Sequence, residues 1–439
     1  MNQTPTPAHL SRTGPWAWPL LAVAIAATAR VTQSAWIGHL GLSTAVLLAV
    51  AGGCFLAARR MLARSLQGRV DFIAKALFTM IGVMALLRHP IDVEGVQLPI
   101  YEAIARYVTQ VDARTFVLFG ALAMGVKFIG VISSAFAWHL LLTGQGIRFP
   151  FWSKIMTSFL IGRFIGTFLP STIGLDGYTL YEAGRYSNTW QRAVTAKALE
   201  KIIGVTGLFL GMVVTMPFGY QVIVDVAEGV NRPDVAPVMA GAILAVAGGI
   251  SLAVIISLLR PGILTFMLNL FGRFLPTGLQ GQVRQFERAI GAYEGRVGLL
   301  FTALAAKFVT HFTTAVVYFF TALAIGVVGA QFWPITFGST IQILATLLSP
   351  TIAGEGAREL FQMLLLSKQL GGEAQAVLSA ALGFIAAEAA TMWGGVFLWT
   401  RKPGWRPAFT LVDGEQVDYA WITEEHTSAT EAAHAAAAR

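Results

Sequence analysis

Ionisable side chains that fall in or beside long apolar runs are where this sequence carries its chemistry: Arg163, Asp176, Glu182, Lys197, Glu200, Lys201, Lys307, His311, Glu355, Arg358, Glu359 and Glu388. A charge in hydrocarbon costs several kcal/mol when unpaired, so each marks a polar pathway or has a partner. Five of them sit in or beside two short stretches rich in Pro, Gly and hydroxyls, "TFLPSTIGLDG" from Thr167 to Gly177 and "TLLSPTIAGEGAREL" from Thr346 to Leu360. The guanidinium of Arg163 or Arg358 offers a donor fork to a phosphate, aided by half-helix N-termini whose N–H groups face an anion. The alternative is a locking role, with Arg163 paired to Asp176 or Glu200 and Arg358 to a glutamate. Lys197, Glu200 and Lys201 stand at i, i+3 and i+4, share one helix face and look toward the first stretch. Lys307 and His311 also stand at i, i+4. A proton relay and a satisfied interhelical histidine both fit that spacing, and the second is the commoner arrangement.

These groups need a scaffold, and the composition says which kind. Of 439 residues 55% are hydrophobic and 12% charged, with a mean hydropathy of +0.65, about half the charge of a soluble domain. The chain reads as an all-α polytopic membrane protein. Its hydrophilic stretches are too short for a separate soluble catalytic domain. The lone cysteine, Cys54, lies within an apolar run and supplies neither a disulfide framework nor a cysteine metal site. No metal and no cofactor is expected.

Measured against the roughly 20 residues that cross the hydrocarbon core, the apolar runs predict about eight transmembrane helices, near 16–30, 35–57, 71–88, 115–142, 194–217, 236–259, 298–328 and 376–399. The membrane domain spans 16–400, with a cytoplasmic tail at 1–15 and another, expected to lack fixed structure, at 401–439. The net charge of +8 is concentrated at span ends, which speaks for topology and against nucleic acid as a partner. Arg59, Arg60, Arg64 and Arg69 place the loop after the second span in the cytoplasm. Alternation then puts both termini inside, and the loops holding Asp92, Glu94, Asp225 and Glu228 outside.

Two segments, 155–175 and 336–367, are apolar enough to enter the bilayer yet broken by Pro, Gly, Ser and charge. Irregular backbone survives at depth only inside protein or beside a water-filled cavity, so each reads as a re-entrant hairpin with Pro170 or Pro350 at its tip. Laid 179 residues apart, Thr167 meets Thr346, Thr172 meets Thr351, Ile173 meets Ile352, Gly177 meets Gly356, and Asp176 falls on Glu355. On the orientation above, the copies enter from opposite faces, an inverted repeat of the kind that builds midplane sites in transporters.

The same residues, with "AWHLLLTGQG" at Ala137–Gly146, "EKIIG" at Glu200–Gly204 and "SPTIAGEGAREL" at Ser349–Leu360, resemble the transmembrane, flippase-like region of the lysylphosphatidylglycerol synthase/flippase family over about 117–401. That family includes stand-alone members without the synthase domain. This chain departs from the pattern at Leu175, Thr179 and Lys201, where Gly, Arg and Arg are usual. The resemblance implies a multi-pass protein of the bacterial inner membrane that binds and translocates a lipid or lipid-linked substrate, a transporter with no catalytic domain. Its expected site is Arg163, Pro170, Thr172, Asp176, Glu200, Lys201, Pro350, Thr351, Glu355, Arg358 and Glu359. Two other functions fit the residues: a membrane-embedded transferase acting on a lipid-linked substrate with Asp176 or Glu355 as base or metal ligand, and a non-transporting assembly partner of an envelope enzyme. The expected partners are lipid, the bilayer, and either a second copy or that enzyme.

Overall fold

The computed structural model describes residues 14–36, 42–168, 173–260, 291, 293–349, 351–401, 405 and 410–416. Among them the chain is an all-α polytopic membrane protein. Six helical segments are long and apolar enough to cross a membrane: Leu66–Arg88, Ala113–Gly144, Trp190–Gly229, Pro233–Leu259, Val297–Ala324 and Glu373–Thr400. They match the last six of the eight expected spans, and helices α1 (Ala17–Trp36) and α2 (Leu42–Met61) cover the first two. Helices outlast their apolar runs. α3 (Arg64–Arg88) begins seven residues before the expected span at 71, and the side chains of Arg59 and Asp71 pair at 2.7 Å across the α2–α3 corner. α8 (Trp190–Gly229) runs through Pro217 and past the expected end at 217 with a polar last turn, Gln221 donating to Asp225. Hydropathy reports where a helix meets lipid, whereas backbone hydrogen bonding continues wherever residues are good helix formers.

The chain divides into two compact units, Met1–Gly120 with Tyr318–Gly383 and Ala121–Val317 with Phe384–Arg439. In the first, α1 packs on α2 and α3 around Ala17, Leu62 and Val70. A short β-hairpin, β1 (Pro90–Val93) with β2 (Val96–Pro99), follows α3. Its two-residue turn holds Glu94 and Gly95 at positive φ, the primed geometry that matches strand twist. Helix α4 (Ile100–Val108) comes next. Asp112 caps the start of α5 (Ala113–Gly144) by accepting from the Thr115 backbone N–H and hydroxyl, which holds its carboxyl below the usual range. The unit ends with the last part of α10 (Val297–Ala324), then α11 (Phe332–Leu348), α12 (Ala357–Leu370) and the start of α13 (Glu373–Ala389). Gly383 lets the Tyr318 ring lie against the α13 backbone, and Thr321 bonds Ser379.

The second unit holds most of α5, a π-helical turn at Phe151–Met156, α6 (Thr157–Phe168), α7 (Ile173–Ser187), α8, α9 (Ala236–Leu259), the first part of α10, the end of α13 and α14 (Trp393–Thr400). Its core gathers Trp138, Leu141, Phe159, Leu199, Ile203, Tyr293 and Leu300. Glycines set the close approaches: a Cβ at Gly207 would lie 2.8 Å from the Lys307 backbone, and one at Gly394 2.0 Å from the Leu160 carbonyl. Small residues of this kind are how helices associate in lipid. The tail expected to lack structure from 401 differs over its first part. Leu411–Val412 (β4) pairs with Ile147–Arg148 (β3) and with Glu415–Gln416 (β5), because the backbone left after the last helix finds a strand partner in the loop after α5.

Candidate functional site

The two segments expected as hairpins each hold a pair of packed helices, α6 with α7 and α11 with α12. In the first unit α11 and α12 pack against each other, Gly338 abutting Leu366. The break between them docks on α3, the Ile352 N–H donating to Thr79 Oγ1 at 2.8 Å. It is shaped by Gly354 at φ 73° and Gly356 at φ 78°, conformations costly for any residue with a Cβ. Between these glycines Glu355 is extended. Around this break lies a cavity of about 970 Å³. Phe78, Ala85 and Leu86 of α3, Ile341, Leu344 and Leu348 of α11, and Leu360, Phe361 and Leu364 of α12 make it apolar. Ser349, Thr351, Glu355, His89 and Glu373 supply its polar groups. The Ser349 and Thr351 hydroxyls lie 2.8 Å apart. No ion pair is recorded for Glu355 or Glu373 among the described residues.

Arg358 and Glu359 face the other way and are buried. Arg358 donates to Glu359 at 2.9 Å from Nε, and Glu359 accepts the Gly356 N–H at 2.8 Å, a cap on the orphan donors at the start of α12. Arg358 is thus paired with its neighbour Glu359 on the same helix. Neither residue lines the cavity.

In the second unit α6 and α7 close tightly: a Cβ at Gly174 would lie 2.4 Å from the Gly166 Cα. Asp176, in the first turn of α7, forms ion pairs with Lys197 at 3.8 Å and with Lys201. Lys197 also binds Glu200 at 2.6 Å and Thr179 at 2.8 Å, and stacks 3.8 Å over the Trp138 ring. Glu200 is buried and accepts from Lys307 at 2.6 Å, and Lys307 reaches Ser134 at 2.8 Å. Lys197 and Lys201 thus reach α7, while Glu200 also meets Lys307 on α10.

Arg163 meets neither Asp176 nor Glu200. Its partner is Glu388 at 3.2 Å, and Glu388 also accepts from Thr167 at 2.5 Å. The two expected acids are already taken by lysines, while α6 packs on α14 through Gly394 and Gly395 and so brings the end of α13 within reach. Lower on the hairpin, Glu182 gathers Lys154, Ser158 at 3.2 Å and Arg401 at 2.8 Å, with Tyr178 also bound by Arg401. Lys154 lies 4.0 Å from the Tyr186 ring centroid and 4.9 Å from that of Trp405.

Pro170, Thr172 and Pro350 lie outside the described residues. Asp176, Glu200 and Lys201 come together in one network, Arg163 belongs to a second, and Thr351 and Glu355 share the cavity. Sequence reasoning missed Lys127, buried inside α5, and Lys154; a lysine within an apolar helix is the signal for the first. It also missed the cavity, whose α3 wall carries no chemical signature.

A family model described as "Lysylphosphatidylglycerol synthase TM region" matches residues 101–394. No curated protein and no solved structure matches the chain.

Proposed function

Because the chain belongs to the family of lysylphosphatidylglycerol synthase transmembrane regions, we propose that it binds a lipid or lipid-linked substrate and carries it between leaflets. The observation that supports this most is the 970 Å³ cavity at the break of the second hairpin. It lies at the upper end of ligand-pocket sizes, and its polar groups are few against long apolar walls, which suits an amphiphile. A headgroup would meet Ser349, Thr351 and the Glu355 carboxylate, while acyl chains run along α3, α11 and α12. Broken helices near a substrate are a recurring device of transporters.

On this reading both hairpins are re-entrant and enter from opposite faces of the inner membrane of a bacterium, and both termini are cytoplasmic. Reporter fusions test the orientation: activity on the cytoplasmic side after Arg64 and on the outer side near Glu94 is expected, and the reverse pattern overturns it. Transport itself is tested by reconstituting the protein in vesicles with labelled phospholipids of differing headgroup. Faster transbilayer movement of at least one supports the proposal; unchanged rates across all of them sink it.

A further inference from the structure

Within the first unit, the first three helices border an open groove of about 380 Å³. Thr28 of α1, Leu48 and Leu56 of α2, and Lys75, Leu77 and Ile81 of α3 line it, and its walls are apolar apart from one hydroxyl and one ammonium. The Thr28 hydroxyl already donates to the Ala24 carbonyl on its own helix, at 2.7 Å. Lys75 is exposed, and among the described residues no acceptor or carboxylate meets its ammonium. It stands four residues beyond Asp71, about 6 Å further along α3, and Asp71 marks the polar edge by pairing with Arg59 at 2.7 Å. A second cation stands at the same end. Leu48, Gly52 and Leu56 of the groove follow one another at four-residue steps on α2, and Arg60 is the next residue in that row.

An ammonium on an apolar surface one turn inside the membrane edge is costly unless it reaches water or an anion. This groove has one charged end and an apolar body, the outline of an acyl chain below a charged head, and two cations at that end complement a negative head. We propose that the groove between α1, α2 and α3 holds an anionic phospholipid of the bilayer, its phosphate at Lys75 and Arg60 and one acyl chain along Leu56, Leu77 and Ile81. A lysine suits this place because its flexible stem packs on apolar surface while the ammonium rises to the headgroups. This lipid is not the transported one. Phe78 borders both the groove and the larger cavity, but the cavity is lined by the carboxylates Glu355 and Glu373 and, among the described residues, by no lysine or arginine. An anionic headgroup is therefore attracted to the groove and repelled from the cavity. The groove also precedes residue 101, where the family match begins, so it belongs to this chain's first three helices and not to the matched region.

The test uses full-length protein in mild detergent, titrated with phosphatidylglycerol, phosphatidylcholine and oleate and followed by native mass spectrometry. Retention of one phosphatidylglycerol in preference to both other probes is expected. Lys75→Met should weaken its apparent Kd about tenfold, while Lys75→Arg retains binding. Gly52→Leu keeps the charge and fills the groove, and a Cβ at Gly52 meets nothing within 4 Å, so the helix accepts it; it should weaken binding as well. Should Lys75→Met fail to fold, Gly52→Leu decides alone. Equal binding of phosphatidylglycerol and phosphatidylcholine overturns the anionic headgroup, and tighter binding of oleate overturns the phospholipid. Unaltered phosphatidylglycerol binding in Lys75→Met or in Gly52→Leu overturns the site and leaves Lys75 snorkelling to water. A loss in Glu355→Gln as large as that in Lys75→Met overturns it too, because the lipid then sits in the transport cavity. A dimer that Gly52→Leu dissociates, with no lipid retained, gives the groove to a second copy and likewise overturns the proposal. None of these outcomes depends on whether the protein transports.

Discussion

The two hairpins share a sequence pattern, yet they use their matching acids in opposite ways. At an offset of 179 residues, Asp176 aligns with Glu355, but Asp176 sits inside the first turn of α7 against Lys197 and Lys201, whereas Glu355 lies in extended backbone and lines a cavity. The difference traces to the residue just before each acid. Gly354 occupies a left-handed conformation at φ 73°, and its counterpart is Leu175, for which that conformation costs about 1–2 kcal/mol. With leucine there, the chain takes the right-handed helix from Ile173 onward and swings its acid onto the helix surface. With glycine it takes an irregular turn instead, and the helix waits until Ala357. A one-residue difference of this kind accompanies two settings for the aligned acids, one paired with lysines and one lining a cavity.

The sharpest way to break this contrast is to neutralise the first hairpin's central acid. Glu200→Gln leaves Lys197 and Lys307 buried without the carboxylate they share, and the expected loss is about 3–5 kcal/mol, seen as a collapse of monodisperse yield in fluorescence-detected size exclusion. If Glu200→Gln folds normally and only transport suffers, the first hairpin is a site after all.

Next in size is Gly354→Leu, which makes the second break resemble the first. Beyond the backbone strain, a Cβ there would lie 2.0 Å from Thr346 Cγ2, so the total is about 2–4 kcal/mol, readable as a lower unfolding midpoint. A neutral outcome would remove the explanation given for the two geometries.

Glu355→Gln should change stability by no more than about 0.5 kcal/mol, as for other partly exposed groups outside a network, while lowering vesicle transport several-fold. Unchanged transport would move the headgroup away from Glu355. The smallest effect is expected from Asp413→Ala, which removes an exposed pair with Arg192 at 2.5 Å and should cost about 0.2–1 kcal/mol in thermal unfolding. A larger loss would mean that the β3–β4 contact holds the first hairpin more firmly than one surface ion pair does.

Legibility followed physics. The six long spans were readable because their apolar runs exceed the bilayer's thickness, and the face shared by Lys197, Glu200 and Lys201 because helical spacing fixes it. The Arg163–Glu388 pair was not, since 225 residues separate its members and only helix packing through Gly394 and Gly395 decides the match. The cavity was invisible for a similar reason: it is a gap between surfaces, and Phe78, Leu86 and Leu344 carry no mark of bordering one. The β1–β2 hairpin was missed because charged loop residues were read for topology and not for the positive-φ turn at Glu94–Gly95.

The clasp formed by Arg401 and Trp405 has a consequence for how the protein is made. Glu182 and Lys154 leave the ribosome long before Arg401, 219 residues after Glu182, and until then Lys154 is the one cationic partner of Glu182 among the described residues. Tyr186 likewise waits for the Trp405 carbonyl, its acceptor at 2.9 Å. The contacts at the base of α7 therefore form only once residues 401–405 have been made, after α11 and α12. A chain cut before Arg401 would therefore lack both the guanidinium on Glu182 and the acceptor for Tyr186.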